Sequence, residues 1–246
     1  MSDTTRTVIV TGSSSGIGLD VARAFLDRGD AVVLNGRDPD RLAAAAARLG
    51  PADRTATVAG SIADPSTGDA LVRAAVDRFG GIDVLVNNAG TFEPRPFVDV
   101  TEDELESYLH GNLKGTYVTT QAVVRQLKQQ GRGGAIVNIG TVLVDHAMAG
   151  FPASAPLVSK GGVHALTTSL AAELAPERIR VNAVAPGVIR TPLHGNVDVD
   201  SYGGIALMNR VGEVAETTAA VLYLADATFI TGHILPVDGG YVAGRP

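Results

Sequence analysis

Read for its hydrophobic and polar positions, the chain alternates between short β-branched runs and longer stretches with helical spacing. Residues 8–10, 31–34, 56–58, 84–86, 135–139, 180–184 and 233–237 are short, mostly apolar segments of strand length. Their apolar positions are continuous rather than every second one, the pattern of strands covered on both faces in a parallel sheet. Between them, helical spacing marks segments near 17–28, 39–49, 66–79, 102–130, 155–175 and 212–225. This order predicts an α/β fold: a single doubly wound sheet of about seven parallel strands, with right-handed crossovers and helices on both faces. Local signals support several boundaries. Thr101 followed by Glu102, Asp103 and Glu104 places a capping hydroxyl and acidic side chains at the positive end of a helix. Pro176 stops the helix before it. No internal repeat or linker divides the chain, so one domain is expected over 1–246. Gly195, Gly203 and Gly204 make 191–209 the expected mobile loop, a lid over a substrate pocket.

Composition narrows the classes. With 45% apolar and 19% charged residues among 246, the chain is an ordinary globular protein. The absence of cysteine excludes disulfides, thiolate metal sites and thiol catalysis, and no metal site is expected. A net charge of −6 without a basic block argues against a nucleic-acid partner. No apolar run reaches the roughly 18 residues of a membrane helix, so no membrane partner is expected. Only Met1 to Arg6 precede the first strand, too little for a secretory signal, and a cytoplasmic protein is the expectation.

The first strand runs into Thr11-Gly12-Ser13-Ser14-Ser15-Gly16-Ile17-Gly18 and then a helix. Gly12 permits a tight exit from the strand, Gly16 a close backbone approach to a pyrophosphate, and Gly18 close packing of the helix. Free N–H groups at the helix start then face the phosphates. This is the context that a Rossmann-type dinucleotide turn requires. Further motifs follow in order: Asn87-Asn88-Ala89-Gly90, Asn112 within His110-Gly111-Asn112-Leu113-Lys114-Gly115, Pro186-Gly187-Val188-Ile189-Arg190-Thr191, and Val237-Asp238-Gly239-Gly240. With these the chain resembles the short-chain dehydrogenase/reductase family over nearly its full length. The resemblance implies a nicotinamide cofactor held by Gly12, Ser14, Ser15, Gly16, Ile17, Gly18, Arg37, Ser61, Ile62, Asn88, Ala89, Gly90, Lys160, Pro186, Gly187, Ile189 and Thr191. It also implies a small-molecule substrate and a homodimer or homotetramer built on the helices near 102–130 and 155–175.

After the second strand, an acidic residue selects the ribose hydroxyl of NAD, whereas an arginine accommodates the 2′-phosphate of NADP. Here Gly36 takes the acidic position and Arg37 follows, so NADP(H) is expected over NAD(H). Asp38 reads as the start of the next helix. Ser61 stands where the family usually carries an Asp facing the adenine amine.

The family's reaction is hydride transfer between the nicotinamide and a carbonyl or alcohol. As the resemblance implies, a Tyr gives the proton, a Lys lowers its pKa and binds the nicotinamide ribose, a Ser orients the substrate oxygen, and an Asn holds a relay water. Asn112 and Lys160 match the Asn and the Lys, and Thr141 takes the Ser position. The Tyr position falls on Pro156, which has no proton to give and suits the first turn of a helix. No tyrosine lies between Thr141 and Lys160. His146, on the loop after Thr141, is the leading substitute donor, since histidine titrates near neutrality. Ser154 is a second candidate, with His194 and Tyr202 on the lid behind it. Two readings follow. One is an NADP(H)-dependent oxidoreductase with a non-standard proton donor. The other is a non-redox or non-catalytic protein on the same scaffold, either a nucleotide-binding regulator or a lyase or isomerase.

Overall fold

A computed structural model describes residues 5–50, 52–195 and 197–244. Seven strands form one sheet: β1 (Thr7–Val10), β2 (Ala31–Gly36), β3 (Thr55–Ala59), β4 (Val84–Asn87), β5 (Gly134–Ile139), β6 (Ile179–Pro186) and β7 (Ile234–Val237). Their order is β3-β2-β1-β4-β5-β6-β7, and every pairing is parallel. The chain winds outward from β1 to β3, then crosses back to β4 and winds the other way. The direction reverses between β1 and β4, where such sheets open a crevice at their carboxyl ends. The fold is a Rossmann-type α/β sheet, as the pattern predicts.

The continuous apolar runs serve two cores at once. Val8, Val10, Val32, Leu34, Val84, Val86 and Val137 point to one face, packed by α1 (Gly16–Asp27), α2 (Pro39–Leu49) and, at the far end, α7 (Val214–Asp226). Ile9, Val33, Leu85, Ile136 and Val181 point to the other, under α3 (Pro65–Phe79), α5 (Gly115–Gln130) and α6 (Ser154–Leu174). Side chains two apart share a face, so each strand needs apolar residues at nearly every position.

Two departures from the sequence pattern bear on the site. The expected single helix near 102–130 is α4 (Glu102–Tyr108) followed by a π-helical turn over Leu109–Lys114, then α5. Such turns hold one extra residue and are frequent at functional sites, and this one carries Asn112. The expected loop 191–209 contains short 3₁₀ turns at Pro192–His194 and Val199–Ile205, and Arg190 pins it by ion pairs to Asp200 and Glu213. Asn196 of that loop, and Met1 to Thr4 ahead of β1, lie outside the described residues. Among the described residues, no helix is long and apolar enough to cross a membrane.

A buried polar ladder ties the sheet to the site helices. Asn87 Nδ2 on β4 donates to Thr120 Oγ1 on α5 (2.8 Å) and to Asn138 Oδ1 on β5 (2.9 Å). Asn138 Nδ2 donates to Thr167 Oγ1 on α6 (2.8 Å), and that hydroxyl donates to Val163 O (2.8 Å). Removing Asn138 leaves buried donors and acceptors unpaired, which costs about 3 kcal/mol. Asn138→Ala is therefore expected to lower the melting temperature by about 8 °C. A change below 2 °C in a thermal scan would show that the ladder does not register the helices on the sheet.

Candidate active site

The crevice between β1 and β4 is built by very close backbone approach. Gly12 has φ +63°, and a Cβ there would meet Ala89 Cα at 2.7 Å. A Cβ on Gly18 would strike Asn88 Nδ2 and Gly12 O, so the third glycine makes room for the turn itself. Asn88 Nδ2 donates to Thr11 O and Gly12 O (3.0 Å each), while Thr11 Oγ1 accepts from Asn88 N (3.0 Å) and Ala89 N (3.1 Å). The Asn88 amide thus shapes the turn and is spent on it. Ser15 caps α1 with no side-chain bond, leaving the first N–H groups of the helix uncovered. Gly16 has φ +56°, and a Cβ there would stand 3.7 Å from Thr191 Cβ. The turn and Thr191 therefore face each other across the crevice, with Ser14, Ser15 and Ile17 partly exposed along it. Uncovered helix N–H groups beside two positive-φ glycines and a free hydroxyl fit a dinucleotide pyrophosphate.

At the adenosine end, Asp38 accepts from Asp40 N (3.0 Å) and Arg41 N (3.1 Å), so it caps α2. Its carboxylate is committed there, and Arg37 stands exposed beside it. A Cβ on Gly36 would stand in ordinary contact with Ser14, at 3.4 Å, so this position faces the phosphate turn. Ser61 is exposed and its Oγ accepts from Ala63 N (3.3 Å). Ile62 buries its side chain against Gly115. Ile189 is likewise buried, and bridges to Gly212. Pro186 ends β6. Gly187 N donates to Val237 O (2.9 Å), and a Cβ on Gly187 would meet Asp238 at 3.0 Å, so the Pro-Gly and Asp-Gly-Gly motifs interlock.

Asn112, Lys160 and Thr141 converge at the carboxyl ends of β4 and β5. Asn112 Nδ2 donates to Thr91 O (2.9 Å) and Ser159 Oγ (3.0 Å), and its Oδ1 accepts from Thr91 N (2.9 Å). This side chain ties the loop after β4 to α6 and holds its neighbours in position. Ser159 Oγ donates in turn to Pro156 O (2.7 Å). Lys160 Nζ, buried, donates to Ile139 O (2.6 Å). A Cβ on Gly90 would lie 2.9 Å from Asn112 Oδ1 and 3.3 Å from Lys160 Nζ, so that glycine lets the ammonium reach the site. An ammonium carries three donors, and burial pushes Lys160 down to about 8. Thr141 is buried, and its Oγ1 accepts from Leu143 N (3.3 Å), which leaves the hydroxyl proton to bind an acceptor.

The remaining candidates fare unequally. Pro156 is buried in the first turn of α6, as expected of a residue that needs no N–H partner there. Ser154 opens that helix. His146 is exposed, and its backbone carbonyl accepts from Tyr241 Oη (2.9 Å). His194 Nε2 lies 2.8 Å from Ile189 O, a bond that holds the start of the lid. His164, which sequence reading passes over, is buried one helical turn beyond Lys160, and both ring nitrogens lack a hydrogen-bond partner. Burial pushes its imidazole below the usual range, while Asp145 Oδ2, 3.9 Å from Nδ1, opposes that shift. Gly140 is what admits the ring, because any Cβ there would overlap it. Neither residue stands out in the sequence; their pairing shows only where α6 packs on β5.

Comparisons with known proteins agree with this geometry. The family model described as Enoyl-(Acyl carrier protein) reductase matches residues 12–242. The chain is 37% identical over 249 residues to L-rhamnose 1-dehydrogenase (NAD(P)(+)) of Azotobacter vinelandii, covering 96% of each chain. It is 34% identical to 3alpha-hydroxysteroid dehydrogenase of Mediterraneibacter gnavus, covering 95% of this chain and 96% of the relative. Among solved structures, a short-chain type dehydrogenase/reductase from Mycobacterium marinum superposes with a TM-score of 0.91 at 31% identity, over 97% of this chain and 96% of that one. The chain belongs to the short-chain dehydrogenase/reductase family, and its relatives include NAD(P)-dependent dehydrogenases.

Burying Lys160 costs folding stability, with a definite sign in pH. Its folded pKa, about 8, lies below the ordinary value of 10.5. The penalty is therefore full below pH 8, shrinks as pH rises through the interval, and is gone above 10.5. Lys160→Met is expected to melt about 5 °C higher than the parent at pH 7, and the gap should close by pH 10.5. Thermal scans of both proteins across that range check this. A gap that stays constant would mean the amine is not the source.

Proposed function

We propose that this protein is an NADP(H)-dependent oxidoreductase that moves a hydride between the nicotinamide and a small carbonyl or secondary alcohol, using a proton donor other than tyrosine. The observation that carries the reading is Lys160: a buried ammonium with one protein partner, beside Gly90 on the loop whose Ala89 packs on the phosphate turn. A solvent-stripped ammonium left with unpaired donors is expensive, and worth keeping where ligand oxygens complete its shell.

When bound, the nicotinamide supplies or accepts the hydride. The residues of this chain do the rest. Lys160 holds the proton at Nζ and delivers it to the substrate oxygen during reduction, while also binding the nicotinamide ribose. Thr141 orients that oxygen through its hydroxyl. Asn112 keeps Thr91 and Ser159 in position. Gly12, Gly16 and the start of α1 bind the pyrophosphate, Arg37 the 2′-phosphate, and Thr191 the carboxamide. Loop 191–209 closes over the substrate. Pro156 leaves the tyrosine position without a proton, and Lys160 is preferred over His146 and Ser154 because it alone is both buried and charged at that point. A homodimer or homotetramer belongs to the same reading, supported by Leu105, Tyr117 and Val158 exposed on α4, α5 and α6.

Two measurements test it. Fluorescence titration should give tighter binding of NADPH than of NADH, and Arg37→Ala should cut that preference at least tenfold. Equal affinities for the two cofactors would overturn the NADP(H) assignment. For reduction, the acid must be protonated, so kcat/KM should be flat below pH 8 and fall tenfold per unit above it. For alcohol oxidation the sign reverses. A reduction profile that is instead flat to pH 10 would remove Lys160 as the donor.

A further inference from the structure

Three aromatic rings from three separate loops meet at the mouth of this site. Phe92 follows Thr91, whose N–H and carbonyl both pair with Asn112. Phe151 lies on the loop that leads into α6, and that loop is closed onto the β4 loop by Arg95 N donating to Pro152 O (2.7 Å). Tyr202 sits in the 3₁₀ turn of the lid. The rings of Phe92 and Phe151 are 6.3 Å apart and nearly parallel at 18°. Those of Phe151 and Tyr202 are 6.4 Å apart and edge-on at 83°. All three are half-buried, so each still shows surface at the mouth. Beside them, Met148, Gly150, Phe151 and Pro152 border a wide, shallow opening. Leu193, Val197, Leu207 and Met208 add exposed apolar surface on the lid.

Polar side chains around this mouth are largely committed to protein partners. Arg190 is paired with Asp200 and Glu213, and Arg95 with Glu104. Tyr108 Oη donates to Glu93 O (3.3 Å), Tyr241 Oη to His146 O, and His194 Nε2 is held at Ile189 O. Asp145 and His146 are on the exposed side of the loop. Among the described residues, the polar groups left open here are few: the hydroxyls of Thr141 and Ser154 and the Lys160 ammonium, enough for about one substrate oxygen. A polyol entering here would lose water at each hydroxyl and regain few bonds, a cost of kilocalories per group. A flat apolar ring would lose nothing and gain aromatic contact on its faces and edges.

We infer that the pocket takes a carbonyl carried on or beside an apolar ring, an aryl or alicyclic ketone or its secondary alcohol, with Phe151 as the central wall. This rests on the oxidoreductase reading for its chemistry, but its recognition can be read separately.

The test compares kcat/KM for an aryl methyl ketone, a bicyclic alicyclic ketone, an acyclic ketone of four carbons, and a panel of aldoses and sugar alcohols, each in its reactive direction. Ring ketones are expected to exceed the sugars by about 100-fold or more. Phe151→Ala should lower the preference for ring over acyclic ketones about tenfold. Phe151→Leu, which keeps most of the volume, should show the same direction if the alanine variant fails to fold. Sugars turned over as well as ring ketones, or a ring-to-acyclic ratio unmoved by either variant, would overturn the inference. If no carbonyl or alcohol of any class is turned over, the oxidoreductase reading falls instead. Saturation-transfer NMR of the bicyclic alcohol with the NADP⁺-loaded protein then decides the inference: binding weakened by Phe151→Leu upholds it, and no binding ends it.

Discussion

The structure depends on how closely two backbones approach where the winding of the sheet reverses. The turn after β1 and the loop after β4 are pressed together so tightly that Gly12 cannot carry a Cβ beside Ala89, nor Gly18 beside Asn88. Thr11 and Asn88 then cross-bond the two segments with side chain to backbone. Bringing these carboxyl ends together exposes the uncapped start of α1 on one side and the Gly90–Asn112–Lys160 contact on the other. The phosphate end and the reaction end of the crevice are thus two sides of one junction.

That junction is held at a cost. Lys160 gives up its hydration for a single bond to Ile139 O, and His164 one turn along gives up both of its nitrogens for none. Folding alone would favour apolar side chains at both positions. The ladder from Asn87 through Asn138 to Thr167 supplies bonded polar contacts next to these, though Asn87 Oδ1 itself has no partner, and it ties α6 to the sheet. Rigid, bonded polar groups surround a few groups left open for ligand. The same division holds at the mouth, where Arg190, Arg95 and two tyrosines are occupied by protein and the rings of Phe92, Phe151 and Tyr202 are only half covered.

Much of this is legible in the sequence because it is local. Val8-Ile9-Val10 is too apolar to be anything but a strand covered on both faces, and Gly12, Gly16 and Gly18 signal their own turn. Asp38, followed by proline, reads as a helix start and is one, which takes it away from the ribose. What sequence could not supply is pairing at long range. Gly140 and His164 are each unremarkable, and only the packing of α6 on β5 shows that one exists to admit the other. Phe92, Phe151 and Tyr202 are far apart in the chain and meet only through loop geometry. Asn112 was identifiable by its motif, yet its amide partners Thr91 and Ser159 belong to two other elements.

The π-helical turn at Leu109–Lys114 has a consequence for helical phase. One surplus residue rotates everything after it by roughly 100° relative to a regular helix. Upstream, α4 addresses α6, while downstream α5 turns a different stripe toward α3, where Gly68 accepts the backbone of Thr119 at close range. Two segments on a nearly common path can therefore serve two partners, and the point of slippage between them is where Asn112 enters the site. In this molecule the irregular turn acts as a gear between packing and chemistry.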